Sequence, residues 1–253
     1  MTRTSRKATS DYLLIDISNS FTKFAFASST RLSATVRVPT AALSSKRVGE
    51  ILRSRNARRI IVCSVVPKKN AILQKAAKNI PVLFVDSKTK LGVGIDYPAP
   101  GSIGADRLAN AAAVAELYGC PAIVVDFGTA VTFDVVSAER DYMGGVIAPG
   151  LEAMTNFLYQ RTALLPKLTL HEPSRAIGKT TRAAMMSGAV FGYRGLVREI
   201  LNRIALEAFP RRKVKIVATG GYAELIGKQL PEIIAIHPNL TLEGLRIIAN
   251  FNA

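Results

Sequence analysis

The chain has 253 residues, enough for two lobes of comparable size, and its 49% hydrophobic content and mean hydropathy of +0.21 suffice for buried cores. Lys and Arg number 34 against 18 Asp and Glu, a formal net charge of +16, with a pI near 10.2. No apolar run approaches the roughly 20 residues of a membrane helix, and two Cys with two His at these spacings exclude a zinc set.

Met1–Ser10 lacks the apolar core of a secretory signal and reads as a short frayed extension. Cys63 and Cys120 sit in apolar surroundings, as buried thiols of a reducing cytosol do. The expected location is cytoplasmic, with no membrane partner. Arg53, Arg55, Arg58, Arg59 and Arg211, Arg212, Lys213, Lys215 are candidate nucleic-acid patches. No aromatic residues interleave with them as a stacking platform requires, so nucleic acid is not the expected partner.

In chain order, the patterns predict strands over Tyr12–Asp16, Thr22–Ala27 and Ser33–Val38, a helix over Ala41–Arg53, a strand over Ile60–Cys63, a helix over Lys68–Lys78 and a strand over Val82–Val85. A Gly/Pro-rich connection, Leu91–Ser102, leads to an alanine-rich helix over Ala105–Tyr118, stopped by Gly119. The order then repeats. Strands over Ala122–Asp126, Ala130–Val136 and Tyr142–Ile147 precede a helix over Leu151–Tyr159, a loop and a long helix over Arg182–Ala208. A strand over Val214–Thr219, a helix over Tyr222–Lys228, a strand over Ile233–Ile236 and a helix over Leu242–Phe251 complete the chain. Two copies of a βββαβα unit, divided as 1–115 and 116–253, predict an α/β protein. Its two ribonuclease-H-like (actin-like ATPase) domains would hold a nucleotide cleft between them.

The repeat carries chemistry. Ile15-Asp16-Ile17-Ser18-Asn19-Ser20 and Val125-Asp126-Phe127-Gly128-Thr129 each run a buried strand into an aspartate and then into small, polar turn residues. Such turns let amides and hydroxyls approach a polyphosphate, and the aspartate stands where it can hold a cation. A third element, Gly104-Ala105-Asp106-Arg107, puts acid and guanidinium side by side at a helix start. Capping the helix would explain Asp106; accepting a hydroxyl proton while Arg107 holds a carboxylate would explain the pair. Val217-Ala218-Thr219-Gly220-Gly221 ends a strand on two glycines, where a base or ribose can lie on backbone; a plain strand-to-helix turn has the same look. Gly178-Lys179-Thr180 is not a P-loop, because the earlier glycine is replaced by Pro173 and no strand precedes it.

In this order the segments resemble type III pantothenate kinase, the Bvg accessory factor family of the actin, sugar kinase and Hsp70 superfamily. The matching stretches are Asp16-Ile-Ser-Asn19-Ser20 with Lys23, Cys63-Ser64-Val65-Val66-Pro67, Tyr97 through Arg107, Asp126 through Thr132, Gly144-Gly145 to Pro149-Gly150, Ile177-Gly178 with Thr181 and Ser187-Gly188, and Thr219-Gly220-Gly221. The resemblance implies ATP-dependent phosphorylation of the 4′-hydroxyl of pantothenate, which opens coenzyme A synthesis. It implies Asp106 as base, with Gly104, Arg107 and Tyr97 at the pantothenate. Thr181 would reach the pantothenate of a partner, in a homodimer with sites at its interface. Asp16, Asn19, Ser20 and Lys23 would face phosphates and Mg²⁺, Thr129 and Thr132 would grip phosphate, and Gly220 and Gly221 would lie against the nucleotide. Asp126 would serve a monovalent cation, potassium or ammonium.

The chain departs from the family where Ser18 replaces a usual glycine and Ser20 a usual threonine. A Cβ at position 18 costs if the turn needs positive φ or if a phosphate oxygen must approach closely. Because the acid, amide and hydroxyl positions survive, the serine is expected to be tolerated; a large drop in the Michaelis constant for ATP on restoring glycine would show that it impairs the loop. Two rival readings are a catalytically quiet, nucleic-acid-associated regulator of the same family, and another small-molecule kinase on this fold.

Overall fold

The computed structural model describes residues 9–253, in two units: the residues up to Leu117 together with Asn239–Ala253, and Tyr118–Pro238. In the first unit, β1 (Thr9–Ile17), β2 (Phe21–Ala27) and β3 (Val36–Pro39) form an antiparallel meander. The helix α1 (Ser45–Ser54) then returns the chain to β4 (Asn56–Ser64), parallel to β1. The helix α2 (Asn70–Ala77) leads on to β5 (Val82–Phe84), parallel to β4. The sheet order is β3-β2-β1-β4-β5. A two-residue strand, β6 (Gly94–Ile95), precedes α3 (Ala105–Leu117).

In the second unit, β7 (Ala122–Phe127), β8 (Ala130–Val136) and β9 (Asp141–Pro149) form the meander; α4 (Leu151–Arg161) and α5 (Thr181–Ala208) precede β10 (Lys215–Gly220). The short α6 (Ala223–Ile226) connects to β11 (Ala235–Ile236), and α7 (Leu240–Phe251) ends the chain. The order β11-β10-β7-β8-β9 repeats that of the first sheet strand for strand, so the duplicated, ribonuclease-H-like βββαβα unit is present.

Strand parity sorts the first unit into two layers. Leu13, Ile15 and Ile17 of β1 pack with Val48 and Ile51 of α1 and Leu73 of α2. Tyr12 and Leu14 face the other way, onto Leu108, Ala109 and Ala112 of α3 and Leu242 and Leu245 of α7. Asp16 shares this second face by parity. The alanine-rich sequence of α3 has a packing reason: a Cβ at Gly244 of α7 would overlap the carbonyl of Ala109, so the two helices cross at close range. A buried Thr241 Oγ1–Asn110 Oδ1 hydrogen bond of 2.9 Å fixes their register.

The expected division falls at residues 115 and 116; the last helix, α7, packs in the first unit. Its own hydrophobic stripe is legible in the sequence, but the partner of that stripe is not. The expected frayed extension over residues 1–10 lies mostly outside the described residues, and Thr9 and Ser10 are already strand. Cys63 is buried, whereas Cys120 is only half-buried. The predicted helix over Ala41–Arg53 is split into a short 3₁₀ turn and α1, because Ser44 caps a fresh N-terminus by accepting from Arg47 N.

Candidate active site

The first unit carries two groups of expected site residues. At the end of β1, Asp16 is only 3% exposed, between Lys23 on β2 and Cys63 on β4, its direct neighbours in register. Cross-strand partners share a face, so the Lys23 stem and the Cys63 thiol lie on the side of the sheet that Asp16 uses. The Cys63 Sγ stands 4.0 Å from Asp16 Oδ1, and Ser18 Oγ donates to the same oxygen at 2.8 Å. A carboxylate this buried needs donors or a cation.

The turn itself is held from outside its own hairpin. Thr40 Oγ1 donates to Ser18 O at 2.7 Å and meets Thr22 Oγ1 at 3.0 Å, while Thr40 N donates to Ser20 O at 3.0 Å. Asn19 and Ser20 stay exposed on this braced loop. Nothing in the local sequence marks Thr40, since its contribution depends on β3 returning beside β2. Among described residues the positive-φ positions other than glycine are Lys78 and Arg140. Ser18 is therefore not in the left-handed region, and the conformational cost anticipated for it does not arise.

The second group opens α3. Asp106 lies in the first helical turn and accepts from Arg107 N at 2.9 Å. Burial lifts its carboxyl above the usual carboxylate range, opposed by that N–H and by the Arg107 guanidinium. A Cβ at Gly104 would stand 2.5 Å from Asp106 Oδ1, so a side chain there would make that carboxylate turn away. Tyr97, half-buried, lies on the approach loop, which Ser102 stiffens by donating from Oγ to Ala99 O at 2.7 Å.

In the second unit three segments converge. Asp126, on β7, is paired with Thr132 on β8 and Thr219 on β10. The following turn exposes Gly128 and Thr129 and is closed by Gly128 N donating to Ala130 O at 3.0 Å. Gly150, just before α4, packs against that turn; a Cβ there would overlap Thr129 O. Gly220 has φ +93°, and a Cβ on it would come 2.6 Å from Asp126 Oδ1. Glycine is thus demanded by conformation and by space. Gly221 beside it is open to solvent. Thr181 belongs to neither group: it is exposed as the first residue of α5, next to Thr180, whose Oγ1 caps the helix by accepting from Ala183 N.

No group of three or more His, Cys, Asp or Glu that could hold a metal occurs among the described residues. A Mg²⁺ that travels with a nucleotide needs no such cage, since it keeps waters and takes one or two carboxylates besides phosphate oxygens. Asp16, buried and next to exposed turn hydroxyls, fits that requirement.

Solved structures share this architecture. A Baf family protein from Campylobacter jejuni superposes with a TM-score of 0.63 at 20% identity, covering 95% of this chain and 98% of that one. An inorganic polyphosphate/ATP-glucomannokinase from Arthrobacter gives a TM-score of 0.50 at 14% identity, covering 97% and 100%. The fold is therefore the one shared by actin-like ATPases and sugar kinases. Within it, the sequence profile of type III pantothenate kinase matches residues 12–203. A type III pantothenate kinase of Akkermansia muciniphila is 51% identical over 247 residues, 95% of this chain and 99% of that protein. The chain belongs to the type III pantothenate kinase family.

Proposed function

We propose that the protein transfers the γ-phosphoryl group of ATP to the 4′-hydroxyl of pantothenate, opening coenzyme A biosynthesis. The observation that carries this reading beyond family membership is the Asp106–Arg107 pair at the start of α3. A carboxylate lifted by burial toward the working pH is a better proton acceptor than an ordinary aspartate, and an adjacent guanidinium suits a carboxylate-bearing alcohol. As the 4′-oxygen attacks the γ-phosphorus, its proton passes to Asp106 and ADP departs. Arg107, Gly104 and Tyr97 hold pantothenate.

Phosphoryl transfer depends mainly on positioning and charge neutralisation. Asn19, Ser20 and Lys23 serve the phosphates from the first hairpin, and Thr129 and Thr132 from the second. Gly220 and Gly221 offer bare backbone to the nucleoside. Asp16 would hold Mg²⁺, which supplies charge neutralisation at the phosphates, and Asp126 would hold a monovalent cation. A homodimer, with Thr181 completing the partner's pantothenate site, is supported by an apolar surface on α4. There Phe157 is 59% exposed and Met154 and Leu158 are each 42% exposed, lining a groove of about 640 Å³ with Met185. Such a patch suits a contact with a second copy. The reading places the enzyme in the cytoplasm, and no described helix is long and apolar enough to cross a membrane.

The test is ADP release by the purified protein with ATP, Mg²⁺ and pantothenate, in potassium or in sodium. Release that requires pantothenate and rises with potassium supports the assignment; folded protein that releases nothing under either cation refutes it.

A further inference from the structure

Arg194 lies near the middle of α5 and is 8% exposed, a burial that a guanidinium tolerates only with partners. Its Nη1 donates to Glu172 Oε1 at 2.9 Å and its Nη2 to Glu172 Oε2 at 2.5 Å, a two-pronged pair. Nη2 also donates to Leu225 O at 2.6 Å. Glu172 sits in the irregular segment over residues 162–180, and Leu225 lies in α6, directly after Gly220-Gly221. One side chain of α5 therefore ties together the segment that ends at Thr181 and the helix behind the glycine turn.

Other bonds run the same way. Ser187 Oγ donates to Ala176 O at 2.5 Å, and Arg182 Nη1 to Lys167 O at 3.0 Å. Gly178 lies so close to the first turn of α5 that a Cβ would overlap Ala183 and Ala184. The segment is thus laid along α5, with Glu172 as its charged attachment. Arg194 Nε is buried without a hydrogen-bond partner among the described residues. With one partner, Glu172, half-exposed to screening water and the other carrying an unmatched donor, the pair is weak ground for stability. What a planar fork on a carboxylate does supply is fixed geometry.

We propose that the Glu172–Arg194 pair is a positioning clamp, which sets where the segment ending at Thr181 stands and so governs pantothenate binding without touching the substrate. The proposal rests on the assignment of Thr181 to the pantothenate site. Binding depends on placement to within about 1 Å, and half-exposed Glu172 can be altered without emptying the core.

The experiment compares Glu172→Ala with Thr181→Ala in steady-state kinetics, alongside hydrogen exchange over residues 163–180. Glu172→Ala should raise KM for pantothenate roughly tenfold and speed exchange in that segment, with KM for ATP kept within about twofold because Arg194 retains Leu225 O. A merely stabilising pair would lower the melting temperature and leave the two KM values in their original ratio, which overturns the clamp. If Glu172→Ala lowers the folded yield too far, Glu172→Gln carries the same readouts with the shape retained. Should Thr181→Ala leave KM for pantothenate unchanged, the site assignment has failed. Exchange then decides separately: unaltered exchange over 163–180 in Glu172→Ala overturns the clamp, and faster exchange upholds it as the anchor of that segment.

Discussion

Ser18 Oγ donates to Asp16 Oδ1 at 2.8 Å, so the residue that departs from the family pattern is a partner of the carboxylate it follows. Because Ser18 is not at positive φ, glycine at this position relieves no strain and removes a donor. Ser18→Gly should therefore raise KM for ATP by about three- to tenfold, corresponding to the ~1 kcal/mol of a typical intramolecular hydrogen bond. A serine that impaired the loop would shift KM the other way. A fall in KM for ATP on titrating the variant with nucleotide would sink the idea.

Asp106→Asn should keep ATP binding and lose roughly 10²- to 10⁴-fold in kcat, the usual contribution of a positioned base. Equilibrium binding of nucleotide beside turnover separates the two effects. Near-normal kcat would remove Asp106 from the chemistry.

The same substitution should raise stability at neutral pH. Burial raises the Asp106 pKa in the folded state, so the folded protein binds a proton more readily than the unfolded chain. Stability from this group is present below the unfolded value of 3.8 and is lost as pH rises through the folded pKa. Asparagine carries no such charge. The melting temperature of Asp106→Asn should exceed that of the unaltered protein at pH 7–8, with the gain shrinking toward acid; a lower melting temperature at neutral pH would contradict this account.

Gly220 and Gly221 should behave differently when replaced by alanine. At Gly220 the φ of +93° and the contact with Asp126 and Phe127 should cost about 1–3 kcal/mol and weaken nucleotide binding. At Gly221, where a Cβ meets nothing within 4 Å, the melting temperature should stay within about 2 °C. Thermal denaturation of the two variants gives the comparison, and equal losses would mean that the close approach is not what requires the first glycine.

Asp126→Asn should abolish the preference for potassium over sodium while leaving the protein folded, since Asp126 is half-exposed at a strand end. The ratio of rates in the two salts is the readout. A ratio unchanged from the unaltered protein would move the cation elsewhere.

Much of this protein was written locally. The strand over 130–136 and the long helix ending at Ala208 fall where the apolar periodicity puts them. So do the two aspartate hairpins and the helix that Asp106 opens, because each is set by a window of about ten residues. The tertiary structure decided which surfaces meet. It packed α7 on α3 through Gly244 and Ala109, braced the first hairpin with Thr40, and closed Gly150 and Gly220 around the second. It also joined Glu172 to Arg194. Those pairings bring together residues far apart in the chain, and a hydrophobic stripe or a lone charge states only that it needs a partner. Which partner it finds depends on the close packing of the whole unit.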